Sequence, residues 1–205
     1  MACNVGALLY AVLQFIAFIF VLVATPLDMF RVKDLGRFGS TPCLTLWGGK
    51  ENCNTVRSDT SYDVLWDLCP GRLARFHMAE VFAVISILVY GLAALFGIIM
   101  LFCCSFFHWI CLALNITGVV TVCVVWVLMI FDYNNAEDFC PAINTHFNFG
   151  NGFMMFVVAW CLNLVNIVLL LLQCRARDPS ESGDPSERRD PSERRDPSER
   201  RGAKE

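Results

Sequence analysis

Between residues 76 and 174 the chain contains no lysine and no arginine. All 16 fall in two blocks, seven from Arg31 to Arg75 and nine from Arg175 to Lys204. A soluble fold keeps charge on its solvated faces, so a cation-free stretch of this length is solvated mostly by lipid or by itself. Charged residues make up only 17% of the chain and hydrophobic residues 56%, against about 25% charged in ordinary globular domains. Catalytic punctuation is also missing. There is no phosphate loop, no nucleophile elbow and no His-Glu-x-x-His zinc motif, so neither an enzyme nor a cofactor is expected. No basic patch interleaves with aromatics, which excludes nucleic acid as an expected partner.

What is present is four long apolar runs, at 5–24, 81–104, 110–131 and 153–172, none of which contains Pro, Asp, Glu, Lys or Arg. A spanning helix needs about 20 apolar residues, because the hydrocarbon is about 30 Å thick and each residue rises 1.5 Å. With interfacial residues added, the spans are expected at about 5–26, 79–104, 109–131 and 152–173. The expected fold class is an all-α membrane protein: a four-transmembrane-helix bundle over residues 1–174, with disulfide-linked outer loops at 27–78 and 132–151 that carry short β-strands. The first run lacks the basic n-region of a signal peptide and is expected to stay as a helix. Gln14, Asn115, Thr117, Thr121, Asn163 and Asn166 are among the few polar residues inside the spans. Asn163 and Asn166 share a helix face. Such groups read as interhelical hydrogen-bond partners worth about 0.6–2 kcal/mol each rather than a transport path. Ala7/Ala11 and Ala93/Gly97, at spacing four, suit close helix packing.

Cysteine placement orients the bundle. Cys43, Cys53, Cys69 and Cys140 fall in the two large loops, an even set that suits disulfides in an oxidising compartment. Four cysteines allow three pairings; Cys43–Cys53 with Cys69–Cys140 is the expected one. Cys3, Cys103, Cys104 and Cys174 gather at the opposite face, where juxtamembrane cysteines are candidates for lipidation. Both termini are therefore expected in the cytosol and both large loops outside. From residue 178 the chain repeats a hexamer, and 184–189, 190–195 and 196–201 each read Asp-Pro-Ser-Glu-Arg-Arg. With no apolar residue to bury, the segment 175–205 is expected to be a disordered cytosolic tail. Arg precedes Ser192 and Ser198 by three residues, a spacing open to basophilic kinases.

The first loop holds the most specific pattern: Cys43-Leu44-Thr45-Leu46-Trp47-Gly48-Gly49-Lys50-Glu51-Asn52-Cys53. The alternation through Leu44 and Leu46 is strand-like and Gly48-Gly49 supplies a turn, so the segment reads as a hairpin tied at its base. Closing so small a ring contributes about 3 kcal/mol. This undecapeptide resembles the signature of the amastins, surface proteins of trypanosomatid parasites. That signature runs Cys, apolar, Thr or Ser, Leu or Phe, Trp or Phe, Gly, any, Lys, Arg or Gln, any, polar, Cys, and every position matches. The resemblance covers residues 1 to about 174 and not the hexamer tail. It implies a cell-surface, multi-pass plasma-membrane protein with no established enzymatic activity, acting in host–parasite interaction or at the membrane boundary. Its partners would be the lipid bilayer, host or parasite membrane components and other amastins, with oligomers allowed. The architecture is similar to that of claudins, although in claudins the Trp precedes the cysteine pair.

The family bears the name surface glycoprotein, yet the one Asn-x-Ser/Thr sequon, at Asn115-Ile116-Thr117, lies inside the third span. N-glycans are not expected. Trp47, Trp66, Tyr62, Phe139 and Phe147 are the loop aromatics, expected either at a partner interface or at the headgroup level. Among three histidines, His77 lies one turn from Glu80; with His146 or Asp132 this pair is the weak candidate for a metal or proton site. A small ion or proton channel or transporter is the alternative function, against which the spans carry no ionisable residue.

Overall fold

A computed structural model describes residues 5–33, 42–53, 60–102, 107–137 and 140–177. The four long helices are α1 (Val5–Ala24), α3 (Pro70–Phe102), α4 (Phe107–Asn134) and α5 (Asn151–Arg177), with a short α2 (Tyr62–Leu65) ahead of α3. All four long helices are long and apolar enough to cross a membrane. They close into a ring in which α1 touches α3 and α5, and α4 touches the same two. Neighbours therefore run antiparallel. The α3–α4 pairing keeps one register over many turns, with Tyr90 on Gly118, Ser86 on Thr121 and Arg75 on Asp132.

The helices are inside-out relative to those of a soluble protein. Gln14, Ser86, Asn115, Asn163 and Asn166 are buried, whereas Leu8, Val12, Ile19, Leu88, Leu92, Ile98 and Leu171 are exposed. That arrangement is favourable only where the surrounding solvent is apolar. Small residues set the close approaches. Ala7, Ala11, Ala93 and Gly97 are all buried, and a Cβ on Gly97 would touch the Tyr10 ring at 3.0 Å and the Ala11 backbone at 3.7 Å. Trp126 of α4 meets Trp160 of α5 edge-on, with centroids 5.6 Å apart.

At one end of the bundle stands a four-stranded antiparallel sheet in the order β3-β2-β1-β4. Its strands are β1 (Asp28–Val32), β2 (Cys43–Thr45), β3 (Gly49–Lys50) and β4 (Phe147–Phe149). The central strand β1 leaves α1 directly, and β4 leads directly into α5, so the sheet grows from the α1–α5 pair. Phe30 pairs with Leu44 on one side and Phe149 on the other. Phe149 stacks between Tyr133 at 4.1 Å and Phe153 at 4.3 Å, seating the sheet on α4 and α5. One core runs from Val21 and Phe156 in the bundle to Met29, Leu44 and Leu46 in the sheet.

Two glycines the sequence reading passed over permit this junction. A Cβ on Gly150 or Gly152 would collide with the backbone of Asp28 or with Ala24 and Leu27. They let the start of α5 cross the α1–β1 link in direct backbone contact, and the Gly150 amide donates to the Met29 carbonyl at 2.7 Å.

Inside the bundle, Gly118 is the tightest spot: an added Cβ would lie 2.8 Å from the Tyr90 ring and 3.0 Å from Asn163 Nδ2. Gly118→Ala should destabilise the detergent-purified protein by about 1–3 kcal/mol through overpacking. Thr117→Ala, on the exposed side of the same turn, should leave the thermal transition in place. Equal transitions for the two variants would contradict the packing described.

Candidate functional site

The Cys43–Cys53 segment forms a tight loop at the end of α1. Cys43–Thr45 and Gly49–Lys50 are its two strands. Thr45 closes the turn twice, its amide and its hydroxyl both donating to the Gly48 carbonyl at 3.0 and 2.9 Å. The same hydroxyl accepts the Trp47 amide at 3.1 Å. Gly48 has φ 145°, a conformation that a side chain disfavours. Leu44 and Leu46 are buried in the core that joins sheet and bundle.

Two further signature side chains, Trp47 and Lys50, point back at α1. Trp47 Nε1 donates to the Thr25 carbonyl at 3.0 Å, and Lys50 Nζ to the Pro26 carbonyl at 3.4 Å. Carbonyls past the last helical turn have no partner along the chain, and Pro26 has no amide with which to extend the helix. A cation there also meets the negative end of the helix dipole, worth about 0.3–1 kcal/mol. The Trp47 ring remains 43% exposed, beside the end of a spanning helix, where a half-wet indole is favoured at the headgroup level.

The other half of the site lies where α3 and α4 rise past the apolar zone. The structure joins Cys43 to Cys53 and Cys69 to Cys140, with Cα separations of 5.6 and 6.3 Å. Cys69 immediately precedes α3, whose first residue is Pro70, the favoured residue for that position. The N-terminus of α3 is capped from across the fold: Glu137 Oε2 accepts the Arg72 amide at 3.2 Å. Arg75 ties the same carboxylate to α4, with Nη2 2.5 Å from Glu137 Oε1 and Nε 2.6 Å from Asp132 Oδ1. Asp132 is fully buried. Arg72 is buried too, donating to the carbonyls of Pro141 at 3.0 Å and Asn135 at 3.4 Å, with its guanidinium 4.7 Å from the Trp66 ring. Periodicity cannot reveal this lock, because its partners are more than 55 residues apart; charges at the water edge of two apolar runs were the available hint.

His77 does not join the groups expected with it. It faces Glu80 at 3.2 Å and Asp63 at 3.5 Å on the surface, while Asp132 is taken by Arg75. Among the described residues no group of three His, Cys, Asp or Glu is placed to hold a metal ion. Tyr62, expected to be exposed, is buried with its ring 4.5 Å from Phe76, because α2 turns that face onto α3. Asn52 flanks Cys53 in the described loop. Phe139, Cys3, Cys103, Cys104 and the repeat tail lie outside the described residues, and the Cys174 side chain does too. The sequon residue Asn115 is buried between helices, its Nδ2 donating to the Tyr10 hydroxyl at 2.8 Å.

Four apolar antiparallel helices under a small disulfide-tied sheet define a claudin-like, multi-pass membrane protein. The family model for amastin surface glycoproteins matches residues 15–170, and the chain belongs to that family. Among curated proteins none matches the sequence.

The Arg75 guanidinium, hydrogen-bonded to Glu137, holds that carboxyl below its ordinary value of 4.5. A carboxyl whose pKa is lowered by folding stabilises the fold above the unfolded pKa, and this contribution fades as pH falls through the folded one. Thermal unfolding in detergent should therefore show a transition that drops on acidification below about 4.5. Glu137→Gln should unfold earlier at neutral pH and lose part of that acid-limb slope. An unchanged slope would mean that the Arg75–Glu137 contact does not stabilise the fold.

Proposed function

We propose that the sheet end faces the exterior at the plasma membrane, with both termini in the cytosol. There it acts without catalysis, as a contact surface for a neighbouring amastin or a host membrane component. The observation that carries this reading is an aliphatic patch on α2 and the turn after it: Val64 is 73% and Leu68 76% exposed, and Leu65 lies between them at 39%. Tyr62 and Trp66 lie against Phe76 and Asp63 faces His77 at 3.5 Å, so α2 stands beside the second turn of α3, on the outer side of Val81 where the apolar run begins. Exposed aliphatic clusters mark protein or membrane interaction sites.

The patch is held rigidly from behind. Tyr62 and Trp66 pack on Phe76, and Cys69 is bridged to Cys140. Beside it an open, mainly apolar cleft of about 210 Å³ runs between Leu65, Phe147 and the β2–β3 hairpin. An apolar side chain of a partner resting on Leu68 has this cleft next to it. The signature residues enter the reading as the support beneath the surface, since most of their polar atoms are spent on α1 and on the turn itself.

Surface crosslinking on living cells tests the reading. Val64→Asp with Leu68→Asp should abolish the crosslinked species while leaving surface abundance and thermal unfolding as in the parent, since neither side chain is buried. Crosslinking that persists in the double variant would overturn it.

A further inference from the structure

The bundle interior carries more hydrogen-bonding capacity than its own side chains use. Gln14 sits at the middle of the 20-residue α1, about 14 Å from either end, which places it near the centre of the hydrocarbon. Asn166 Nδ2 of α5 donates to Gln14 Oε1 at 2.7 Å. One turn along α5, Asn163 Nδ2 donates to the Asn115 carbonyl of α4 at 2.9 Å. Asn115 Nδ2 in turn reaches the Tyr10 hydroxyl and the Cys111 carbonyl. Tyr90 of α3 closes the set, its ring against Gly118 beside Asn163. These groups form one belt through all four helices, and every one of these side chains is buried.

The direct bonds leave a remainder. Asn115 Oδ1, Asn163 Oδ1 and Asn166 Oδ1 are buried acceptors, Gln14 Nε2 is a buried donor, and the Tyr90 hydroxyl beside Asn163 can serve as either; none of them has a hydrogen-bond partner among the described residues. Turning Gln14 and Asn166 over together only exchanges which of them carries the lone donor, and turning Asn115 or Asn163 over gives up the bonds to Tyr10 and the Cys111 carbonyl or to the Asn115 carbonyl. Lipid offers these atoms nothing.

We infer that the midplane belt of Gln14, Asn115, Asn163 and Asn166 is a binding site for a small cluster of internal water molecules that bridges α1, α4 and α5. Water suits the remainder because it both donates and accepts, and buried waters make two to four such bonds with groups of this kind. A cation would satisfy the three carbonyl oxygens but not Gln14 Nε2. It would also sit in hydrocarbon with no carboxylate, since no acidic residue occurs in the apolar runs and intramembrane charges need a partner. The cluster is a fixed bridge that sets the register of α5 against α1 and α4, not a proton path.

The test uses the intact protein in liposomes, labelled with ¹⁵N and ¹³C on Asn and Gln. Water-edited solid-state NMR should show polarisation passing from water to the side-chain amides of Asn115, Asn163 and Asn166 several-fold faster than to the backbone amide of Asn163 in the same turn. Transfer no faster than to that backbone amide would overturn the inference. A second reading of the same sample replaces potassium and sodium salts with N-methylglucamine. Unchanged side-chain carbonyl shifts are expected; shifts that follow the alkali ion would assign the site to a cation and overturn the water cluster.

Discussion

A helix that leaves the hydrocarbon must find donors for the carbonyls around its last turn, and the end of α1 is where this protein solves that problem. Thr25 and Ala24 settle part of it locally, through the Thr25 amide and hydroxyl on the Val21 carbonyl and the Leu27 amide on the Ala24 carbonyl. Beyond that point the donors come from the hairpin of the signature loop. Because only three residues separate α1 from β1, whatever holds the end of α1 also holds an inner strand of the sheet. The hairpin is thereby a clamp: its two cysteines close it, Thr45 and Gly48 shape its turn, and Trp47 and Lys50 reach the helix end.

The rest of the sheet end hangs from two antiparallel helix pairs. The α1–α5 pair carries the sheet through β1 and β4, and the glycines at 150 and 152 allow the crossing that brings those strands together. The α3–α4 pair carries the arginine lock. Arg75 reaches both Asp132 on α4 and Glu137 beyond it, so the lock is a constraint on helix register as well as a contact. Cys69–Cys140 and the β1 contacts with Tyr133 join the two halves. Within the bilayer the same pairs are held by small residues and by amides, the groups that distinguish one apolar helix face from another where the lipid-facing surface is almost wholly apolar.

Much of this architecture is legible in the sequence, and the reasons are specific. Four apolar runs without charge identify spanning helices irrespective of their periodicity. Cys43 and Cys53 ten apart around Gly48-Gly49 suggest a hairpin because the constraint is local. Asn163 and Asn166 announce a polar helix face by spacing alone. The strands β1 and β4 leave no such trace: five and three residues long, they gain their identity only by pairing Phe30 with Phe149, far apart in the chain. The capping of α3 by Glu137 and the burial of Tyr62 are equally long-range. The His77 and Glu80 pair shows the opposite case: the local spacing is right, but Asp132, a distant group expected with it, is held by Arg75.

The family signature is then a structural device whose chemistry serves α1, and the surface proposed for partners lies beside it on α2. Trp47 separates these roles most directly. Its N–H makes one hydrogen bond to α1, worth about 0.5–1.5 kcal/mol, while its ring is half in water. The decisive measurement is thermal unfolding of Trp47→Phe, which keeps an aromatic ring and removes the donor, alongside Lys50→Met. The clamp predicts that both variants unfold earlier than the parent while surface crosslinking on cells persists. Unfolding unchanged in both, with crosslinking lost, would contradict it and make the signature itself the contact surface.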